Sequence, residues 1–197
     1  MKPLVTNEAP DFTAVTVMPD NTFNEAFTLS ELRGKYVLLF FYPLDFTFVC
    51  PSEILAFNKA VEQFQANNCE VVGVSIDSHF SHLAWKNTPV DNGGIGDVQF
   101  PLVADLDKKI SEAYGVLLDM GIALRGLFLI DKEGIIRHQV VNDLPLGRSV
   151  DEALRMLDAL QFTDEHGDVC PANWKKGDDT MEPTAEGVAK YLSEHAS

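Results

Sequence analysis

Tyr36-Val37-Leu38-Leu39-Phe40-Phe41-Tyr42-Pro43-Leu44-Asp45-Phe46-Thr47-Phe48-Val49-Cys50-Pro51-Ser52-Glu53 is the stretch of this 197-residue chain that decides its fold. Tyr36 to Tyr42 is an unbroken apolar run, as expected of a central strand covered on both faces. Pro43 ends the strand, a loop carrying Thr47 follows, and Cys50 stands where a new periodicity begins. Cys50, Ile54, Phe57, Val61 and Phe64 recur every three or four residues, one face of an amphipathic helix. Pro51 fits only a first turn, where its missing N–H removes no bond, so the helix is predicted from Cys50 to about Ala66. A helix start presents unpaired N–H groups and partial positive charge. Such surroundings favour thiolate, the form of cysteine that attacks and is oxidised. A small buried hydrophobe is the other reading of a cysteine in this place. The helix start leaves both open, and the threonine ahead of it turns the reading toward redox or nucleophilic chemistry.

Working outward, Phe12 to Met18 and Phe23 to Thr28 read as short strands of an N-terminal hairpin around Pro19-Asp20-Asn21. Glu70 to Ile76 is a second buried strand. A helix over Phe80 to Asn87 ends at Pro89, and Asp91 to Asp97 is a loop of flexible composition. Lys108 to Tyr114 is helical. Gly126 to Ile130 and Ile135 to Val141 form a hairpin across Asp131-Lys132-Glu133-Gly134, and Val150 to Leu160 is the last core helix. Strands alternating with helices, then a hairpin, predict an α/β fold with a mixed sheet. After Leu160 the composition changes. Thr163 to Asp179 is polar yet holds Cys170 and Trp174, and a short amphipathic helix spans about Thr184 to Glu194, with Ala185, Val188, Tyr191 and Leu192 on one side. Such a tail has too little apolar surface to fold alone. It must dock, in its own chain or on a partner.

The length suits one domain with an arm, and an apolar share of 46% is ample for a core. A formal net charge of −15 speaks against nucleic acid and anionic membranes, which need clustered Lys and Arg. The acidity is read as a device for solubility. No apolar run approaches the roughly 20 residues of a membrane span. Met1 to Glu8 has no apolar signal region, and three cysteines make no dense disulfide framework, so a cytosolic, cytoplasmic setting is expected.

A reactive cysteine in the core and a second in a docked tail fit a disulfide cycle, in which Cys50 is oxidised to sulfenic acid and Cys170 condenses with it. Cys69, at the start of a strand, is read as structural. Thr47 offers a hydroxyl that can serve sulfur and a bound oxygen, or it caps the helix. Arg125, in a chain with only 15 basic residues, would stabilise a thiolate and polarise an oxygen substrate, or it lies on the surface. Glu53 could orient an arginine or complement the helix dipole. No Cys-x-x-Cys occurs, which excludes a dithiol centre of the thioredoxin type. His79 and His82 lack a third ligand and are read as surface residues rather than a metal site. Gly93-Gly94-Ile95-Gly96 does not link a strand to a helix as a dinucleotide fingerprint does.

Across nearly all its length the chain resembles a typical two-cysteine peroxiredoxin of the AhpC/thiol-specific antioxidant family, thioredoxin-dependent branch. Pro43-x-x-x-Thr47-x-x-Cys50 is similar to the family's active-site motif. Asp77 to Trp85, Arg125-Gly126-Leu127-Phe128, Val141 to Ser149 and His166 to Ala172 match as well. The resemblance implies a thioredoxin-like fold over 1–162 and a domain-swapped C-terminal arm over 163–197. It implies that Cys50 is the peroxidatic cysteine and Cys170 the resolving one. Pro43, Thr47 and Arg125 complete the peroxide pocket, and Glu53 and Arg148 belong to its supporting charge network. The implied activity is reduction of hydrogen peroxide and organic hydroperoxides, with an intersubunit Cys50–Cys170 disulfide reduced by thioredoxin or a similar dithiol protein. The implied assembly is a homodimer that builds a pentamer of dimers, with no metal or organic cofactor. An oligomeric holdase chaperone or redox relay with secondary peroxidase activity is the alternative. Relatives that overoxidise readily carry Gly-Gly-Leu-Gly and a Tyr-Phe pair in the last helix. Here the sequences are Gly93-Gly94-Ile95-Gly96 and Tyr191-Leu192, a departure that points away from high peroxide sensitivity.

Overall fold

The apolar run before Cys50 becomes a strand with no exposed residue, Tyr36–Phe41, in the computed structural model, which describes residues 2–195. In chain order the strands are β1 (Thr13–Val17), β2 (Phe23–Thr28), β3 (Tyr36–Phe41), β4 (Cys69–Ser75), β5 (Leu102–Ala104), β6 (Arg125–Ile130) and β7 (Ile136–Asn142). The helices are α1 (Cys50–Ala66), α2 (His79–Lys86), α3 (Lys109–Ala113), α4 (Val150–His166) and α5 (Ala185–His195). The chain divides into two compact units, Met1–Arg148 and Ser149–Ser197.

The first unit is built on a seven-stranded mixed sheet in the order β2-β1-β5-β4-β3-β6-β7. β3 runs parallel to β4, with Tyr36 opposite Cys69 and Phe41 opposite Val74, and antiparallel to β6. A parallel pair needs a crossover, and α1 supplies it. Because side chains alternate along a strand, β3 serves two cores. Val37, Leu39 and Phe41 join Val72, Val74, Ile110, Tyr114, Phe128 and Ile130 on one face. On the other, Phe40 stacks on Phe57 of α1 at 4.7 Å between ring centres and meets Phe100 edge-on at 5.6 Å. The apolar stripe of α1 thus faces the sheet and fixes the helix start at the C-terminal end of β3.

Three features depart from the sequence pattern. β5 was not anticipated; it is only three residues long and follows Pro101, but it bridges β4 and β1. The 91–97 segment is not a free loop. The indole N–H of Trp85 donates to the Gly93 carbonyl at 2.8 Å, Ile95 is buried, and a Cβ on Gly94 would lie 1.8 Å from the Thr88 carbonyl oxygen. Finally, α4 continues past Leu160 and through Thr163 to His166, where Gly167 adopts the left-handed conformation that ends it.

In the second unit the polar stretch after α4 folds back on that helix. Trp174 is buried with its ring 5.2 Å from that of Phe162, and Val169 and Met181 exchange backbone hydrogen bonds of 2.9 and 3.1 Å. Among the described residues no helix is long and apolar enough to cross a membrane.

Candidate active site

Cys50 is the first residue of α1 and is fully buried. Thr47 does not cap the helix: the N-cap position is Val49, with no side-chain cap bond. The Thr47 hydroxyl lies 2.8 Å from the Leu44 carbonyl and 3.0 Å from Cys50 Sγ. It has one proton, so it donates to one of these at a time. Pro43 is buried where the chain leaves β3.

Arg125, at the start of β6, is buried rather than on the surface. Its Nη1 lies 3.4 Å from Cys50 Sγ and donates to Glu53 Oε2 at 2.6 Å, and its Nε donates to the Leu144 carbonyl at 2.6 Å. Arg148 reaches the same carboxylate. Its backbone N–H and Nε donate to Oε1 at 2.9 and 2.8 Å, and Nη2 to Oε2 at 3.0 Å. Nη1 of Arg148 donates to the carbonyls of Phe41 and Gly126. Glu53 therefore joins two buried guanidinium groups. Burial works to raise its carboxyl, but the hydrogen bonds and charge of Arg148, with the charge of Arg125, outweigh burial and hold it below the ordinary range. Two cations and one carboxylate leave one positive charge in excess beside the sulfur, which a thiolate would balance.

The loop before Cys50 is fastened from below by a buried polar network. Asp45 accepts from the Tyr42 hydroxyl at 2.9 Å and the Ser81 hydroxyl at 2.7 Å, and its other close neighbour is His82 Nδ1 at 2.8 Å. His82 Nε2 faces the Val103 carbonyl at 3.2 Å. The Asp45 backbone N–H donates to Asp77 Oδ2 at 2.9 Å, and Ser75 donates to the same oxygen at 2.7 Å. Burial pushes the Asp77 carboxyl up and the Tyr42 phenol well above its ordinary value. Next to this anchor, Phe46 takes a left-handed backbone conformation, φ 53°, uncommon for a bulky residue.

Cys170 is partly buried in the second unit, with Sγ 3.6 Å from the Ala159 carbonyl and 3.8 Å from the Thr163 hydroxyl. Cys69 is sealed at the start of β4, and burial pushes its thiol up to about 12.

Residues 5–139 match the model of the AhpC/TSA family. The chain belongs to that family. Residues 159–194 match the C-terminal domain of 1-Cys peroxiredoxin. Peroxiredoxin-2 of Cricetulus griseus is 60% identical over 188 residues, covering 95% of this chain and 94% of the relative. Alkyl hydroperoxide reductase C of Helicobacter pylori is 58% identical over 194 residues, 98% of each. The crystal structure of the reduced 2-Cys peroxiredoxin of Plasmodium vivax superimposes with a TM-score of 0.95 at 53% identity, covering 98% of this chain and all of that one. The fold is the thioredoxin-like fold of the peroxiredoxins, and the chain is a thiol peroxidase.

In this peroxiredoxin the structure brings Thr47, Cys50, Glu53, Arg125 and Arg148 into one cluster within the first unit, while Cys170 lies in the second. Sequence reading missed the Asp45 anchor and placed His82 on the surface, whereas it is fully buried. A signal was present. Trp85 and Lys86 follow His82 at helical spacing and share its buried face. Among the described residues no group of three or more His, Cys, Asp or Glu side chains is placed to hold a metal ion.

Proposed function

We propose that this chain reduces hydrogen peroxide and organic hydroperoxides at Cys50 and resolves the product with Cys170 of a partner chain. The observation that carries the reading is Cys50 Sγ at a helix start between Thr47 Oγ1, 3.0 Å away, and Arg125 Nη1, 3.4 Å away. The Cys50 thiolate attacks one peroxide oxygen, the O–O bond breaks, and the departing alkoxide or hydroxide takes a proton. Arg125 and the helix start face the charge that develops. When the Thr47 proton turns to Leu44, its lone pairs are free to accept from the peroxide O–H. Glu53 and Arg148 hold Arg125 in place. Cys50 is left as sulfenic acid. The Cys170 sulfur then bonds to the Cys50 sulfur, the S–O bond breaks, and the hydroxyl leaves with the thiol proton as water. A dithiol protein such as thioredoxin reduces the disulfide by exchange and is itself oxidised.

The functional division proposed is a peroxidase domain over 1–162 and an arm over 163–197 in a cytoplasmic homodimer that assembles into a pentamer of dimers. Phe48, 97% exposed in the single chain, and Phe80, 66% exposed, support such association, since exposed aromatic surface gains from being covered.

Catalytic amounts of protein with thioredoxin, its reductase and NADPH should consume peroxide over many turnovers. Cys50→Ser should consume none, because a hydroxyl is scarcely ionised at neutral pH. Cys170→Ser should take about one equivalent and stop. Wild-type turnover by Cys50→Ser would remove the central claim. An oxidised protein running as monomer on non-reducing gels, with a Cys50–Cys170 peptide disulfide by mass spectrometry, would overturn the intersubunit assignment.

A further inference from the structure

Arg155 is a group the reading above does not use. On α4, Arg155, Ala159, Phe162 and Thr163 recur at helical spacing and make one face. The segment from Cys170 to Trp174 is seated on it. Ala159 and Thr163 take the Cys170 thiol at 3.6 and 3.8 Å, contacts that are weak for sulfur. The firmer attachment lies four residues on. The Trp174 ring packs on Phe162, its indole N–H donates to the Asp178 carbonyl at 3.0 Å, and its own carbonyl accepts from Arg155 Nη1 at 2.9 Å. Arg155 is held for this task. Its Nε and Nη2 fork onto the two oxygens of Glu152 at 2.6 and 2.7 Å, which fixes the guanidinium plane and leaves Nη1 aimed at Trp174.

Resolution requires sulfurs about 2.05 Å apart. Cys50 is fully buried against Thr47 and Arg125 and is not presented as placed, while the partly buried Cys170 is held on its own helix.

We propose that Arg155 is a positioning residue for the resolving step: it fastens the Cys170–Trp174 turn to α4, and its release sets how fast Cys170 becomes available to the Cys50 sulfenic acid. This rests on Cys170 being the resolving cysteine. The step is balanced as before: the S–S bond forms, the S–O bond of the sulfenic acid breaks, and water leaves. The Glu152 hydrogen bond chiefly keeps this guanidinium firmly protonated.

The test is rapid mixing of full-length protein with one equivalent of hydrogen peroxide, followed by acid quench. Dimedone-trapped Cys50 sulfenic acid and the Cys50–Cys170 disulfide are then counted by mass spectrometry. Arg155→Ala should leave the rate of sulfenic acid formation at the wild-type value and speed disulfide formation about tenfold, the effect of removing one hydrogen bond to a charged donor. The peroxide concentration that converts half of Cys50 to sulfinic acid should rise by about the same factor, because the sulfenic acid is exposed for a shorter time. Arg155→Lys, which keeps a charged donor but loses the fork, should return most of the way to wild type. Disulfide formation that is unchanged or slower in Arg155→Ala overturns the proposal, and so does an equal change in both steps. Equal rates for Arg155→Ala and Arg155→Lys overturn it too, since a role in helix stability alone would not distinguish them this way. A Cys50 disulfide that persists in Cys170→Ser would remove the resolving assignment itself, whatever Arg155 does.

Discussion

Beyond the local Thr47 contact, the support around Cys50 reaches across the sequence: Arg125 meets the sulfur from 75 residues away and Arg148 meets Glu53 from 95. Around Cys170 the contacts are local, with Thr163 at 7 residues and Ala159 at 11. A cluster assembled from distant segments exists only when the whole unit is folded, so it shares the stability of the sheet and holds its geometry before substrate arrives. A seat made within one helix and the turn after it can open alone, at a fraction of the global free energy. The first arrangement suits a site that must be preorganised for charge. The second suits a thiol that must travel.

The sharpest way to break this contrast is Glu53→Gln. Removing the carboxylate leaves two buried guanidinium groups facing each other, and such a loss costs about 3–5 kcal/mol. Because Glu53 titrates below its ordinary value of 4.5, its contribution is whole above that pH and fades as pH falls through the lower folded value. Urea midpoints should therefore separate wild type from Glu53→Gln at pH 7 and converge on acidification. A gap that widens in acid would contradict the cluster.

Arg125→Ala comes next. It should slow sulfenic acid formation by about 10²–10³, the loss of one preorganised donor, while the later disulfide step keeps its rate. Stopped-flow measurement of the two steps checks this. Slowing of both steps together would mean that the two cysteines do not have separate supports.

The smallest expected effect is in the arm. Tyr191 stacks on His195 at 4.2 Å between ring centres, while Leu192 is half exposed. Leu192→Phe offers the arm more aromatic surface to bury on docking, worth roughly 1 kcal/mol, or about a fivefold shift toward the docked arm. Sulfinic acid at Cys50 should accumulate at correspondingly lower peroxide. An unchanged dose response, followed by mass spectrometry, would show that position 192 does not govern release of the arm.

Local pattern carried the elements that depend on local physics. The continuous run of β3, Pro51 in a first turn and the stripe from Ile54 to Phe64 placed α1 at its observed bounds. β5 escaped because three residues after a proline, two of them buried, make no periodicity. The end of α4 escaped because Gln161 to His166 is polar but for Phe162, although Gly167 marked its end. In the site, the hydroxyl and thiol of one loop were legible together. The burial of Arg125 was not, since it depends on Leu144 and Glu53 from other parts of the chain. The burial of His82 was legible in the face it shares with Trp85 and Lys86, but its contacts were not. Its partners Asp45 and Val103 lie in a loop and a strand that no helical pattern reveals.

Cys69, sealed in β4, leads to a last consequence. A thiol raised to about 12 is fully protonated at neutral pH and shielded from oxidant. It becomes vulnerable only when the sheet comes apart. A peroxidase spends its life in its own oxidant, so Cys69 carried to sulfinic or sulfonic acid would be a lasting mark on a molecule that had lost its fold. The fraction carrying that mark would serve as an odometer of unfolding, readable long after the survivors had refolded.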